Sequence, residues 1–268
     1  MILSAKRRII GLSAVFLVAI ILATFTHAMN VALREPQAIL GWLLLGLILF
    51  LAAYRHRKKL PVLPFGTSKG WLQFHIYVGL LSLPVLLLHT GWRLPGGLID
   101  APLGVLFVLV FSSGVVGLIL NRKIPPRLTS RGEEVIYERI PFFIRKLRLE
   151  AEECVIADAE NSSDVLGELY LARLHSFFQR PANFLRHVLH SRSPRYAMLQ
   201  HLEDARRFLG DSESSTIDRL IELVRRKDDL DYQFALQSLL KYWLFVHIPL
   251  TGALLVFSFF HIVVARSY

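Results

Sequence analysis

The sequence predicts an all-α integral membrane protein: five transmembrane helices with a mainly helical insert on one side of the membrane. Three observations predict it. First, 53% of the 268 residues are hydrophobic and only 19% are charged, with a mean hydropathy of +0.45, whereas soluble domains carry about 25% charged residues. Second, five apolar runs approach the ~20 residues a helix needs to cross a bilayer. Third, charge is segregated. Residues 122–240 hold 19 basic and 19 acidic side chains; the rest holds 12 basic and 2 acidic, so the whole net charge of +10 belongs to the apolar part.

The runs are Ile9–Ala28, Ala38–Tyr54, Trp71–His89, Pro102–Leu120 and Tyr242–Ala265, the second being the shortest. Basic residues precede the first (Lys6, Arg7, Arg8), follow the second (Arg55, Arg57, Lys58, Lys59), precede the third (Lys69), follow the fourth (Arg122, Lys123) and precede the fifth (Lys241). The opposite ends carry only Arg34, Arg93 and Arg266. One orientation places every cluster in the cytoplasm: N-terminus inside and C-terminus outside, in a cell inner (plasma) membrane. Basic charge distributed this way reports topology and not nucleic-acid binding, and the partner of these faces is membrane lipid. Lys6–Arg8 followed by an apolar core also resembles a signal peptide. The core is long for one and the site after Thr26-His27-Ala28 is poor, so the first run is expected to stay as a span.

The domain expectation follows: residues 1–121 as four spans, 122–240 as a cytoplasmic insert and 241–268 as the fifth span. The insert opens with Ile124-Pro125-Pro126 and a basic turn at Thr129–Arg131. Asn161–Asp164 reads as a loop ending in a helix cap. Apolar residues at helical spacing follow: Leu166, Leu169, Tyr170, Leu174 and Phe177, then Leu199, Leu202, Ala205, Phe208 and Leu209. Asp211–Thr216 reads as a further turn and cap before Ile217, Leu220, Leu223 and Val224. The charge run Arg225–Asp231 reads as a solvated helix face. No GxGxxG and no GxxxxGK[ST] occurs, so a nucleotide-bound hydride donor is not encoded. The single cysteine, Cys154, rules out an internal disulfide, an iron–sulfur cluster, a Cys-rich zinc site and a CxxCH haem attachment. It reads as an inert core thiol.

Four of the ten histidines stand apart. His75 and His89 lie on the third run, His247 and His261 on the fifth, and each pair is 14 residues apart. Fourteen residues turn through about 1400°, some 40° short of four turns, and rise about 21 Å. Both histidines of a pair therefore share one helix face, at two depths. Runs three and five are parallel, so His75 meets His247 near the cytoplasm and His89 meets His261 near the outside. Ionisable groups inside spans mark function, and two stacked imidazole pairs in a helix bundle are the ligand set of two haem b groups. The bundle is thus read as haem-binding. His75, His89, His247 and His261 would be the iron's axial ligands. Gly79 and Gly252, each about one turn beyond a histidine, and Gly114 on the fourth run would let a flat ring approach. Arg93 outside, and Lys69 or Lys241 inside, would meet the propionates. The plainer reading of the glycines is helix packing. Trp42, Trp71, Trp92 and Trp243 read as interface anchors, His27 and His56 as interfacial. His187 and His190, one turn apart without a third ligand, read as a solvated face.

Histidines 14 apart on two parallel spans resemble the di-haem cytochrome b group, including the membrane cytochrome b of quinol:cytochrome c reductases. The use of spans three and five is similar to the ferric reductase and NADPH oxidase transmembrane domain. The resemblance covers the spans only, and it carries over only the four histidines. It departs in the long insert, in the absence of flavin and nicotinamide domains and of a sixth span, and in the absence of a Pro-Glu-Trp-Tyr quinol motif. It implies a di-haem subunit of an oxidoreductase complex that carries electrons across the membrane. Other subunits, a quinol and an outer-face c-type cytochrome are candidate partners, and no nucleic acid is expected. The insert is expected to dock or regulate. The alternative is a haem-handling, cytochrome-maturation transporter, although no Trp-rich segment occurs. A metal or proton transporter would need acidic groups inside the spans, whereas Glu35 and Asp100 lie at their ends.

Overall fold

A computed structural model describes residues 5–54, 68–129, 134–159, 165–189, 191, 193–207 and 211–267. The described residues are mostly helical and contain no strand. The chain divides into two compact units, Met1–Leu120 with Trp243–Tyr268, and Asn121–Tyr242.

The first unit is built from α1 (Ala5–Val31), α2 (Gln37–Ala53), α3 (Ser68–His89), most of α4 (Asp100–Leu128) and the C-terminal part of α10 (Asp211–Ser267). Four segments are long and apolar enough to cross a membrane: Arg8–Val31, Gly70–His89, Asp100–Leu128 and a stretch within Ser214–Ser267. Helix α2 has 17 residues and rises about 25 Å, short of a hydrocarbon core of ~30 Å. Four of the five expected spans therefore meet the length criterion. Helices α1 and α2 pack on α3.

A core of Leu44, Ile48, Val85, Phe107 and Leu254 joins α2, α3, α4 and α10. Buried residues on α3 recur as Val78, Ser82 and Val85, and on α10 as Leu254 and Ser258. These are the faces that bear the histidines, since 75, 78, 82, 85 and 89 follow one helical stripe. The buried hydroxyls are satisfied within their own helices. Ser82 Oγ donates to Gly79 O at 2.7 Å and Ser258 Oγ to Leu254 O at 2.8 Å, so neither is left without a partner on that stripe. The outward faces remain apolar: Phe16, Ile21, Phe245 and Phe259 are exposed.

The second unit has α5 (Ile140–Ala159), α6 (Val165–Leu169), a π-helical turn at Tyr170–Leu174, α7 (His175–Gln179), α8 (Phe184–Val188), α9 (Ser193–Arg206) and the N-terminal part of α10. Its core carries the expected apolar spacing inward: Leu166, Tyr170, Leu174, Phe177, Leu202, Ile217, Leu220, Leu223 and Val224 are buried, and Leu199 and Ala205 pack against them. Phe208, Leu209, the Asn161–Asp164 loop, His56, His190 and Arg131 lie outside the described residues.

Several local expectations are corrected. Helix α4 runs through Pro125 and Pro126 to Leu128, with Ile124 and Leu128 buried, so the insert opens on a continuing helix. Helix α10 begins at Asp211, where a turn was expected. The Arg225–Asp231 run is only in part a solvated face: Arg225 and Arg226 are exposed, but Lys227, Asp228 and Asp231 are 0%, 2% and 1% exposed. Lys227 Nζ donates to Asp231 Oδ2 at 2.5 Å and to Arg180 O at 3.0 Å, and lies 4.1 Å from the centre of the Phe177 ring. His187 is buried too, its Nε2 standing 3.6 Å from Asp228 Oδ1. Charge spacing alone does not reveal this, because Asp228 is met from other elements: α8 supplies His187, and Arg195 of α9 reaches Asp228 at 4.0 Å. Cys154 is half-buried.

Candidate functional site

The four span histidines come together as two pairs in the first unit. The rings of His89 and His261 have centroids 6.3 Å apart and planes at 88°. His75 and His247 lie within electrostatic range of each other. Residue 75 thus neighbours 247 and residue 89 neighbours 261, so α3 and the C-terminal part of α10 run in the same direction with matched register. Fourteen residues along each helix separate the two levels by about 21 Å. All four side chains are half-buried.

The Nδ1 partners decide what each ring can do. His89 Nδ1 is 2.8 Å from the backbone oxygen of Gln37. A carbonyl only accepts, so this nitrogen carries the proton and donates. His261 Nδ1 stands 2.8 Å from Asp100 Oδ1, and a carboxylate imposes the same tautomer. His247 Nδ1 is 2.6 Å from Ser113 Oγ. That hydroxyl gives its proton to Val110 O at 2.8 Å, so its oxygen accepts from the imidazole. A neutral ring held in this way at Nδ1 keeps its Nε2 lone pair, the form in which histidine binds metal. Nδ1 of His75 is buried with no hydrogen-bond partner among the described residues, and its ring lies 4.9 Å from that of Tyr54.

Helix α4 serves both levels. Asp100 is in its first turn and Ser113 lies 13 residues on, a rise of about 20 Å that matches the ligand spacing on α3 and α10. Close packing fixes the rings further. A methyl group at Gly41 would lie 2.8 Å from His89 Cε1, and one at Gly117 would lie 1.9 Å from Trp243 Cζ2. Trp243 stacks on His247 at 5.4 Å and donates from Nε1 to Ser113 O at 2.7 Å. Trp243 thus belongs to the site and is more than an interface anchor.

The other sequence-derived candidates are placed less closely. A methyl at Gly114 would meet His247 Cε1 at 3.8 Å, an ordinary contact; one at Gly79 would only graze Leu51 at 4.0 Å, and one at Gly252 would meet nothing within 4 Å. Arg93 is exposed in the turn after α3, and Lys241 is exposed with its Nζ 2.7 Å from Glu138 Oε1. The side chain of Lys69 lies outside the described residues. Sequence reasoning missed Asp100, Gln37, Gly41, Tyr54 and the role of Trp243. For Asp100 a signal existed, since it and Glu35 are the only acidic residues outside 122–240.

The donor set restricts what could be held. No group of three or more His, Cys, Asp or Glu side chains suited to a metal ion occurs among the described residues. A bare ion that seeks four protein ligands is poorly served by two imidazoles. A planar macrocycle that brings four equatorial nitrogens needs two axial donors only. Two metal–nitrogen bonds of about 2 Å and two ring half-widths of about 1 Å put facing imidazole centroids about 6 Å apart, the separation found for His89 and His261. The residues present fit such a group. Comparison with family models, curated proteins and solved structures gives no match to this chain.

Proposed function

We propose that this chain is a membrane-embedded di-haem b-type cytochrome subunit, which carries electrons between two bis-histidine haems at different depths of the membrane. The register of the histidine pairs carries the reading: His75 with His247 and His89 with His261, at equal 14-residue spacing on co-directional helices. Three Nδ1–H groups committed away from the pairs support it. So do the four helices long and apolar enough to span and their exposed apolar faces, because a helix in lipid turns such residues outward. The charge asymmetry of the sequence favours a plasma-membrane location with the N-terminus in the cytoplasm.

Bound haem would supply one-electron exchange at each level. The protein's own part is to hold and orient. His75 with His247 would hold one haem and His89 with His261 the other, so the pairs would serve electron transfer. Val85, Leu254, Phe107, Leu44 and Ile48 fill the space between the levels and keep water from it. Donor and acceptor would be redox partners of a larger complex, with quinol and a c-type cytochrome as candidates.

The test is the visible spectrum of the chain purified from membranes. Two dithionite-reducible, low-spin haems per chain are expected. A colourless protein, or one that binds no haem on reconstitution, overturns the reading and favours transport.

A further inference from the structure

We propose that Asp100 is a positioning residue for one cofactor level, and that its carboxylate makes that level electronically unlike the other. The inference rests on reading the histidine pairs as axial ligands. It starts from the unequal partners of the four Nδ1 atoms. At one level His261 donates to the Asp100 carboxylate at 2.8 Å and His89 to a backbone carbonyl at 2.8 Å. At the other level His247 donates to the neutral Ser113 hydroxyl at 2.6 Å, and His75 Nδ1 has no hydrogen-bond partner among the described residues.

A carboxylate behind an imidazole draws on the N–H proton and makes the opposite nitrogen a stronger donor. A stronger axial donor and a nearby negative charge both favour the more oxidised metal. Asp100 therefore lowers the reduction potential of its own level. The Ser113 level, about 21 Å away along α3, has no contact with it and feels its charge far more weakly. The carboxylate is suited to its place, because the free N–H groups of a helix first turn favour negative charge and Asp100 is in the first turn of α4. Serine 13 residues further along the same helix does the corresponding work without charge. One helix thus buttresses both levels and treats them differently.

Potentiometric titration of the full chain in detergent, followed by the reduced haem bands and by low-spin electron paramagnetic resonance, reads the effect. Wild type is expected to titrate as two components, and His261→Ala identifies the Asp100-level component by removing it. Asp100→Asn keeps size and an acceptor but no charge. It is expected to shift that component's midpoint upward and leave the other in place, while Asp100→Glu keeps it near wild type. If Asp100→Asn instead loses that haem while Asp100→Glu retains it, the positioning role stands. If the Asn and Glu variants behave alike, or both components move together, the proposal is overturned while the two-haem reading survives. A wild-type chain without haem overturns both.

Discussion

The imidazoles of His89 and His261 meet at 6.3 Å with their planes nearly perpendicular, and each donates its Nδ1 proton away from the other, to Gln37 and to Asp100. Two neutral rings packed for their own sake would gain from donating to one another. Here both Nδ1 atoms are engaged by outer partners and not by the other ring.

If each pair holds one cofactor, the levels should be separable. His89→Ala or His261→Ala is expected to lower the haem content from two per chain to one. His75→Ala or His247→Ala should remove the other, with different reduced-band maxima remaining in the two classes. Pyridine haemochrome assay and reduced spectra check it; a variant from one pair that empties both levels would count against independent sites.

The glycines of α4 should differ sharply. An added methyl at Gly117 meets Trp243 at 1.9 Å, whereas one at Gly114 meets His247 at 3.8 Å. Gly117→Ala is expected to destabilise the first unit by about 1–3 kcal/mol through overpacking and to disturb the His247 level by displacing Trp243. Gly114→Ala should be close to neutral. Thermal stability in detergent and haem retention distinguish them.

Ser113→Ala removes the acceptor for His247 and leaves a half-buried N–H unsatisfied, at about 1–3 kcal/mol. Cofactor dissociation from that level should quicken by about one to two powers of ten, while the His89–His261 level is unaffected. Ser113→Thr, which keeps the hydroxyl, should restore retention.

In the insert, Lys227→Met is expected to cost about 3–5 kcal/mol above pH about 7, where Asp231 is ionised, because it leaves that carboxylate buried without its cation. The double variant Lys227→Met with Asp231→Leu should recover most of this. Hydrogen-exchange protection of α5 and α9 in the full chain reports the difference.

The same pair gives a pH signature. Burial pushes Asp231 up from 3.8 to about 7, against the pull of Lys227. Between those values the folded chain holds a proton that the unfolded chain has released. Asp231's contribution to stability is thus fully present below pH about 4 and is lost as pH rises through about 7. Protection factors along α10 around Asp231 should fall over this range in wild type relative to the double variant.

Much was legible in one dimension. A 14-residue interval in two apolar runs implies two pairs at two depths, because helix periodicity fixes which residues share a face. The insert's apolar spacing was equally readable, and Leu166, Tyr170, Leu174 and Phe177 do lie in its core. The partners were not readable. Asp100 looked like a span end, Trp243 like an interface anchor, and Arg225–Asp231 like a wet surface, since His261, Ser113, and Arg180 with His187, all distant in sequence, are what pack against them.

By itself, then, the sequence determined helices, their apolar faces and the stripe that carries each histidine pair, all of which follow from local geometry and solvent preference. Only the tertiary structure decided the Nδ1 partners of His89, His247 and His261 and which charges are buried. Those depend on Asp100, Ser113 and Gln37 reaching the rings, and on Lys227 reaching Asp231 inside a closed core. A hydrogen bond is a matter of a few tenths of an ångström, and composition and spacing do not encode that.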